Sequence, residues 1–198
     1  MKVIYIRDSR SRGYLRIGIS DGDKKLEYTV SESEYRGLGS LLVGDDISDT
    51  SDLEICDMRY RGRIYALRIL SYGDNNAKNL KRKLILKSIS PDLAEEICKE
   101  MIGLGYINET RQLERLIENE ANVKLLGRRK IFEKLISKGY KKGEIELVLE
   151  ELISQGIVDF EKSGQKLIEK KIHAAASEEE IRSLLYKNGY TDTAFSWD

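Results

Sequence analysis

Several residue types are scarce in this 198-residue sequence, and each scarcity excludes a class of protein. There is one histidine, His173, so histidine-based triads and multi-histidine metal sites are not expected. The two cysteines, Cys56 and Cys98, form no CxxC motif, and no signal-like segment precedes them. Two isolated thiols are typical of a reduced, cytoplasmic protein. No apolar run approaches the roughly 20 residues that span a bilayer, so no membrane association is expected.

Charge of either sign is not in excess, because 34 basic residues balance 34 acidic ones. A neutral chain has no global attraction to nucleic acid or to a membrane, so any such binding requires local segregation of charge. The phosphate-binding motif GxxxxGK[ST] and the dinucleotide fingerprint GxGxxG after a strand are also missing. The sequence therefore predicts a protein that is not an enzyme and needs neither a cofactor nor a metal.

The most regular stretch, residues 127–156, is typical of two helices joined by a turn. Apolar residues recur there at helical spacing, and glycines stand where helices end. Similar residues fall in register 51 positions earlier and 50 positions later. This period leaves room for about three helices per unit. Leu84, Leu135 and Leu185 are then predicted to be equivalent buried positions.

The predicted fold class is mainly α. Three tandem three-helix repeats form an elongated curved body, preceded by a small N-terminal antiparallel β element. The predicted divisions are 1–50 for the β element with a short helix, 51–107 for repeat one, 108–164 for repeat two and 165–198 for a truncated repeat three. Alternating apolar residues in 2–30 indicate strands, with a hairpin at Asp21 and Gly22. Ser-x-x-Glu patterns predict helix N-caps at Ser31, Ser51 and Ser177.

Basic residues collect on the second helix of repeats one and two, and acidic residues collect on the third helices. Equivalent helices in a tandem array line one surface, so a basic stripe is expected. The alternative is that these charges are a solvated face that complements helix dipoles. Arg128 and Arg129 rank first as candidates because a guanidinium grips phosphate or carboxylate with two hydrogen bonds. The full candidate binding set is Arg128, Arg129, Lys130, Lys134 and Lys138 in repeat two, with Lys81, Arg82 and Lys87 in repeat one.

Two motifs resemble the RecX family, the bacterial regulators of the RecA recombinase. The stretch 127–140 follows the family's Gly-x-x-[Arg/Lys]-Ile-x-x-x-Leu-x-x-Lys-Gly-apolar pattern, ending in Lys138, Gly139 and Tyr140. The segment 105–109 is similar to the family's Gly-[Tyr/Ile/Leu]-x-Asn-Asp, with Glu109 in place of the aspartate. The aromatic-Ala pair that usually follows is absent, and Asn79 replaces a common glutamate. The sequence is identified as a divergent member.

The resemblance implies a cytoplasmic monomer without catalytic activity. It implies that RecA and the RecA–DNA filament are the partners, that the protein lies in the filament groove, and that it restrains ATPase and strand exchange as an inhibitor. Direct contact with DNA is left open. Two other functions also remain open: a nucleic-acid-binding protein built of helix-turn-helix-like units, and a protein-interaction scaffold without nucleic acid.

Overall fold

The computed structural model of the chain describes residues 1–171 and 177–191. The described chain is mainly helical with a small N-terminal antiparallel sheet, as predicted, and it divides into two compact units, Met1–Tyr106 and Ile107–Asp198. The predicted third repeat and His173 fall partly or wholly in 172–176 and 192–198, outside the described residues. Within the described ranges, no helix is both long and apolar enough to cross a membrane. The elements are β1 Lys2–Asp8, β2 Tyr14–Asp21, β3 Lys24–Ser31, α1 Glu32–Gly37, α2 Ser51–Ser71, α3 Ala77–Ile85, α4 Pro91–Gly103, α5 Glu109–Glu118 with a π-helical turn at Asn119–Val123, α6 Arg128–Ser137, α7 Lys142–Ser154, α8 Phe160–Lys171 and α9 Glu178–Lys187.

The first unit is built on the sheet, whose strands follow the order β1-β2-β3. The predicted hairpin is confirmed, since Asp21 pairs with Lys24 across Gly22, which has a φ of +59°. Alternate residues of the strands form an apolar cluster that includes Leu53 of α2. The carboxylate of Asp57 in α2 accepts a 2.9 Å hydrogen bond from the edge-strand amide of Thr29. Helix α2 is therefore attached to the sheet by apolar packing and by a buried polar contact.

The first residues of three helices are separated by the same 51 and 50 residues that separate the similar segments of the sequence. Helices α3 and α6 start at Ala77 and Arg128, 51 residues apart, and α9 starts 50 residues later at Glu178. Leu84, Leu135 and Leu185 are all buried, at 0, 0 and 4% exposure. The division into repeats remains a prediction. Helix α8 begins at 160, so the predicted boundary at 165 falls inside a helix.

Helices α3, α6 and α9 end in the same hydrogen-bonded turn. After α6, Gly139 has a φ of +99°, and the amide of Tyr140 donates to the carbonyl of Leu135 at 3.2 Å. Gly189 has a φ of +90° at the matching position after α9, and Ser88 has a φ of +62° after α3. This left-handed residue and the bond behind it form a Schellman turn, which ends the helix and redirects the chain.

The predicted helix starts are confirmed at two of three positions. Ser31 and Ser177 each form a capping box with the glutamate three residues later. The predicted N-cap at Ser51 is wrong by one residue. Thr50 is the N-cap of α2, and its hydroxyl donates to the carboxylate of Glu54 at 2.9 Å instead of accepting from the backbone. Ser51 becomes the first helical residue.

In the second unit, the start of α6 meets the end of α9 at very short range. The amide of Gly127 donates to the carbonyl of Asn188 at 2.9 Å, and the amide of Arg129 donates to the carbonyl of Gly189 at 3.1 Å. A Cβ on Gly127 would lie 2.4 Å from the backbone of Gly189. The positive end of one helix dipole therefore contacts the negative end of another, and only glycine permits this approach.

Leu135→Ala should reduce the free energy of unfolding by about 2–5 kcal/mol, because it opens a cavity in a fully buried site. The measurement is the urea denaturation midpoint. The matched control is Leu147→Ala on α7, where the same change removes a side chain that is 73% exposed. Its expected effect is within about 0.5 kcal/mol. Equal midpoint shifts in the two variants would contradict the assigned core.

Gly127→Ala and Gly143→Ala should change stability in opposite directions. The first forces a methyl group against backbone and should cost about 1–3 kcal/mol. The second lies in α7, where nothing stands within 4 Å of an added Cβ. It should stabilise the protein by roughly 0.5–1 kcal/mol through the reduced entropy of the unfolded chain. Thermal unfolding distinguishes the two, and a neutral Gly127→Ala would show that the junction is loose.

Candidate basic binding surface

The eight candidate residues lie on or just after two helices, α3 in the first unit and α6 in the second, which are called here the basic helices. Each basic helix packs beside an acidic one, α4 or α7 respectively. This pairing neutralises part of the charge within each unit. The candidates therefore differ in how strongly they are committed to contacts inside the protein.

In the first unit, Lys81 and Arg82 have different surroundings. The ammonium group of Lys81 lies 2.6 Å from the carboxylate of Glu95 on α4, and Lys99 lies 3.1 Å from the same carboxylate. The hydrogen bond from Lys81 and the bond from Lys99 lower the pKa of Glu95 to about 2. Arg82 is exposed and has no ion pair among the described residues. Arg82 is therefore the more available cation.

Lys87, in the turn after α3, lines the edge of a groove in the first unit. The groove has a volume of about 560 Å³ and is also lined by Tyr28, Arg61 and Tyr65. The Lys87 ammonium group lies 5.6 Å from the centre of the Tyr65 ring, within the range of a cation–π contact. Lys87 remains exposed, so this contact orients its charge without burying it.

In the second unit, Arg128 reaches across to the acidic helix. Its guanidinium lies 2.5 Å from the carboxylate of Glu150 and 3.9 Å from that of Glu146. Arg128 and both glutamates have side-chain exposures between 41 and 55%. Exposed ion pairs of this kind contribute about 0–1 kcal/mol, so an external phosphate or carboxylate can replace the glutamates.

Arg129 is committed to the junction between α6 and α9. Its guanidinium donates to the carbonyl of Tyr186 at 2.8 Å, lies 5.0 Å from the centre of that tyrosine ring, and pairs with Glu133 at 2.9 Å. A side chain with three such contacts stabilises the fold. Arg129 is therefore a weaker candidate for partner binding than its position in the sequence indicates.

Lys134 is committed to a buried carboxylate. Glu120 lies in the π-helical turn after α5 and is 3% exposed, and its two oxygens accept from Lys124 at 2.7 Å and Lys134 at 2.6 Å. Burial alone would raise the pKa of Glu120, but the two lysine hydrogen bonds outweigh it and hold the pKa below its usual value. Removing Lys134 would leave this carboxylate partly unpaired, so its role is structural.

Lys130 and Lys138 complete the candidate set. Lys130 is half-buried because its stem packs against Gly189, and within residues 1–171 and 177–191 its ammonium group makes no ion pair. Lys138 is exposed at the C-cap of α6. The structure therefore separates the structural cations, Arg129 and Lys134, from the available ones. Arg128 makes only exposed ion pairs, and Arg82 and Lys130 make none among the described residues.

Four N-terminal arginines form a second group of cations that the predicted set does not include. Arg7, Arg10, Arg12 and Arg16 lie on β1, on β2 and in the turn between them, with Asp8 as the only acid in that interval. The signal available in the sequence is four arginines within ten residues. A search for basic residues at helical spacing does not find this cluster, because the residues of a strand hairpin do not follow the helical period.

Comparison with known proteins places this architecture among the RecX proteins. No family model matches the chain. "Regulatory protein RecX" of Listeria innocua is 25% identical over 174 residues, which cover 85% of this chain and 64% of that protein. The protein of the same name from Lacticaseibacillus paracasei is 24% identical over 199 residues, covering 97% of this chain and 80% of that protein.

Two solved structures share the fold. A crystal structure of regulatory protein RecX superposes with a TM-score of 0.74 over 98% of this chain and 96% of its own, at 19% identity. A crystal structure of RecX from Lactobacillus salivarius gives 0.60 over 70% of this chain and 92% of its own, at 23% identity. The chain spans 64% of the length of the Listeria relatives that it matches. With sequence and fold in agreement over most of its length, these similarities support the identification of the chain as a divergent member of the RecX family.

Proposed function

We propose that this chain is an inhibitory regulator of a RecA recombinase, which binds in the groove of the RecA–DNA filament and restrains ATPase and strand exchange. The observation that carries the proposal is the match to regulatory RecX proteins over 85–97% of the chain. The link to RecA follows from the family resemblance of the 105–140 motifs. A cytoplasmic location, a monomeric state and the lack of catalytic activity belong to the same proposal.

The basic helices supply a physical route to such a partner. A filament groove presents DNA phosphates and protein carboxylates, both of which accept hydrogen bonds from guanidinium and ammonium groups. Arg128 gives up exposed ion pairs with Glu146 and Glu150, and a 5.7 Å contact with the Phe132 ring, when it turns to such a partner. Arg82 and Lys130 give up no ion pair within the described residues. The proposed contact set is therefore Arg82, Arg128 and Lys130, with Lys81, Lys87 and Lys138 beside them.

The first experiment measures the ATPase of RecA on single-stranded DNA while this protein is added. We expect ATP hydrolysis to fall as the protein is titrated, and strand exchange to fall with it. Unchanged ATPase and strand exchange at saturating protein would refute the regulatory proposal. A salt-insensitive complex with another protein would instead support the scaffold function.

The second experiment tests the contact set without disturbing the fold. Arg82→Gln combined with Lys130→Gln removes two charges that make no ion pair in the described structure. Each exposed contact contributes about 0.2–1 kcal/mol, so the concentration for half-inhibition should rise several-fold. The log–log salt slope should also fall by about 0.7–0.9 for each phosphate that the variant no longer binds.

The matched control for this variant is Lys166→Gln with Lys170→Gln. Both lysines are exposed on α8, and their replacement removes the same charge. Inhibition by the control should equal that by the unmodified protein. If both double variants weaken inhibition equally, net charge alone decides binding, and the contact set on the basic helices is wrong.

A further inference from the structure

We propose that the N-terminal sheet carries a second binding site, which takes the phosphate backbone of single-stranded DNA. The site comprises β1, β2 and the turn between them, called here the arginine hairpin. Its ligand-binding side chains are Arg7, Arg10, Arg12 and Arg16. This inference goes beyond the proposed function, because the site lies outside the basic helices and requires no RecA.

The first observation is an unfavourable pair of like charges. Arg7 and Arg16 are directly opposite each other in the antiparallel pairing of β1 with β2. Like charges at such positions destabilise a sheet. One carboxylate, that of Glu27 on β3, lies 3.1 Å from the Arg7 guanidinium and 3.5 Å from that of Arg16. Two guanidinium groups therefore share one carboxylate, which leaves one positive charge in excess among these three side chains.

The second observation is that Arg7 is oriented while remaining accessible. The Tyr5 ring lies directly over Gly18, where an added Cβ would be 2.3 Å from it. The Tyr5 hydroxyl donates to Glu27 at 2.5 Å, and the Arg7 guanidinium lies 4.5 Å from the centre of the ring. The Arg7 side chain is still 54% exposed. An aromatic ring and a carboxylate thus hold in place a guanidinium that is still about half exposed.

The third observation is the firm attachment of the turn. The amide of Ser9 donates to the carbonyl of Tyr14 at 2.8 Å, and the hydroxyls of Ser11 and Tyr60 lie 2.8 Å apart. The rings of Tyr14 and Tyr60 are in contact, with centres 4.8 Å apart. These contacts tie the turn to α2. A rigid support of this kind reduces the entropy that a binding side chain loses on contact with its ligand.

The turn projects two further cations from this support. Arg10 and Arg12 are exposed, and neither makes an ion pair in the described part of the chain. With Arg7 and Arg16 they give four arginines against the two acids Asp8 and Glu27. A local excess of unpaired positive charge in a neutral protein is the feature that attracts a polyanion.

The side-chain chemistry favours a nucleic acid over an acidic protein surface. All four cations are arginines, whose planar fork matches two phosphate oxygens and whose face stacks on unpaired bases. A stacking face beside a charged strip is typical of single-strand binding, since the bases of a duplex are not accessible. Duplex DNA and acidic polypeptide are therefore the competing ligands in the test.

The experiment measures the fluorescence anisotropy of a labelled oligothymidylate titrated with the full chain, without RecA, across a range of salt concentrations. Arg10→Ala with Arg12→Ala should weaken binding about tenfold or more at low salt. It should also reduce the log–log salt slope by about 0.7 for each phosphate that is no longer bound. The charge-matched control is Lys24→Ala with Lys25→Ala, which removes two exposed lysines at the opposite end of the same sheet.

Glu27→Gln should change the affinity for the oligonucleotide in the opposite direction. It removes the carboxylate that competes for Arg7 and Arg16, so binding of the oligonucleotide should strengthen. Circular dichroism of each variant confirms that the sheet is retained, and a Glu27→Gln protein that is folded but binds no more tightly contradicts the site.

Three results would overturn the inference. One is equal weakening by the arginine and lysine double variants, which would mean that binding follows net charge. Another is stronger competition by polyglutamate than by unlabelled oligothymidylate, which would indicate an acidic protein partner. The third is preference for duplex over single strand. RecA inhibition that survives any of these results leaves the proposed function intact, so failure of the hairpin site is distinguishable from failure of the regulatory role.

Discussion

The helical part of the structure depends on the hydrogen-bonded turn that closes its helices. At Leu135, the carbonyl accepts from the amide of Tyr140 at 3.2 Å, while the side chain is fully buried. The same residue therefore fixes the end of the backbone helix and fills the core. Gly139 makes this possible, because its φ of +99° is costly for other residues. Ser88 adopts the conformation at the matching position after α3, which shows that the turn is formed even without a glycine.

The junction of α6 with α9 shows that neighbouring cations on α6 differ in their contacts within the protein. Gly127 and Gly189 bring the two helix ends together, and Arg129 bridges them through the carbonyl of Tyr186. An arginine that holds a junction cannot leave it for a partner without a loss of stability. The cations beside it differ, because the ion pairs of Arg128 are with exposed carboxylates and its other contact, 5.7 Å to the centre of the Phe132 ring, lies on its own helix. Formal charge alone is thus a poor guide to which side chains bind.

The two proposed surfaces differ in their physical basis. On the basic helices, availability arises because the ion pairs of Arg128 are exposed and weak, and because Arg82 and Lys130 make none among the described residues. On the arginine hairpin, it arises because Arg7 and Arg16 share a single carboxylate. The first mechanism suits a partner that offers both carboxylate and phosphate groups, and the second suits a polyanion. A regulator of a protein–DNA filament would meet both kinds of surface.

Features that arise from local rules can be read from the amino-acid sequence alone. Helical periodicity identified Leu84, Leu135 and Leu185 as core, strand alternation identified the sheet, and capping boxes marked Ser31 and Ser177. The N-cap at Thr50 was missed by one residue because Glu54 stands three positions after Ser51, as the capping-box pattern requires, but accepts from the Thr50 hydroxyl four positions before it. Which cations are structural depends instead on tertiary contacts. Arg129 contacts Tyr186 from 57 positions away, and a π-helical turn buries the carboxylate that holds Lys134. Such partners meet only after the helices have packed, and ion pairing depends on distance in space rather than on spacing in the chain.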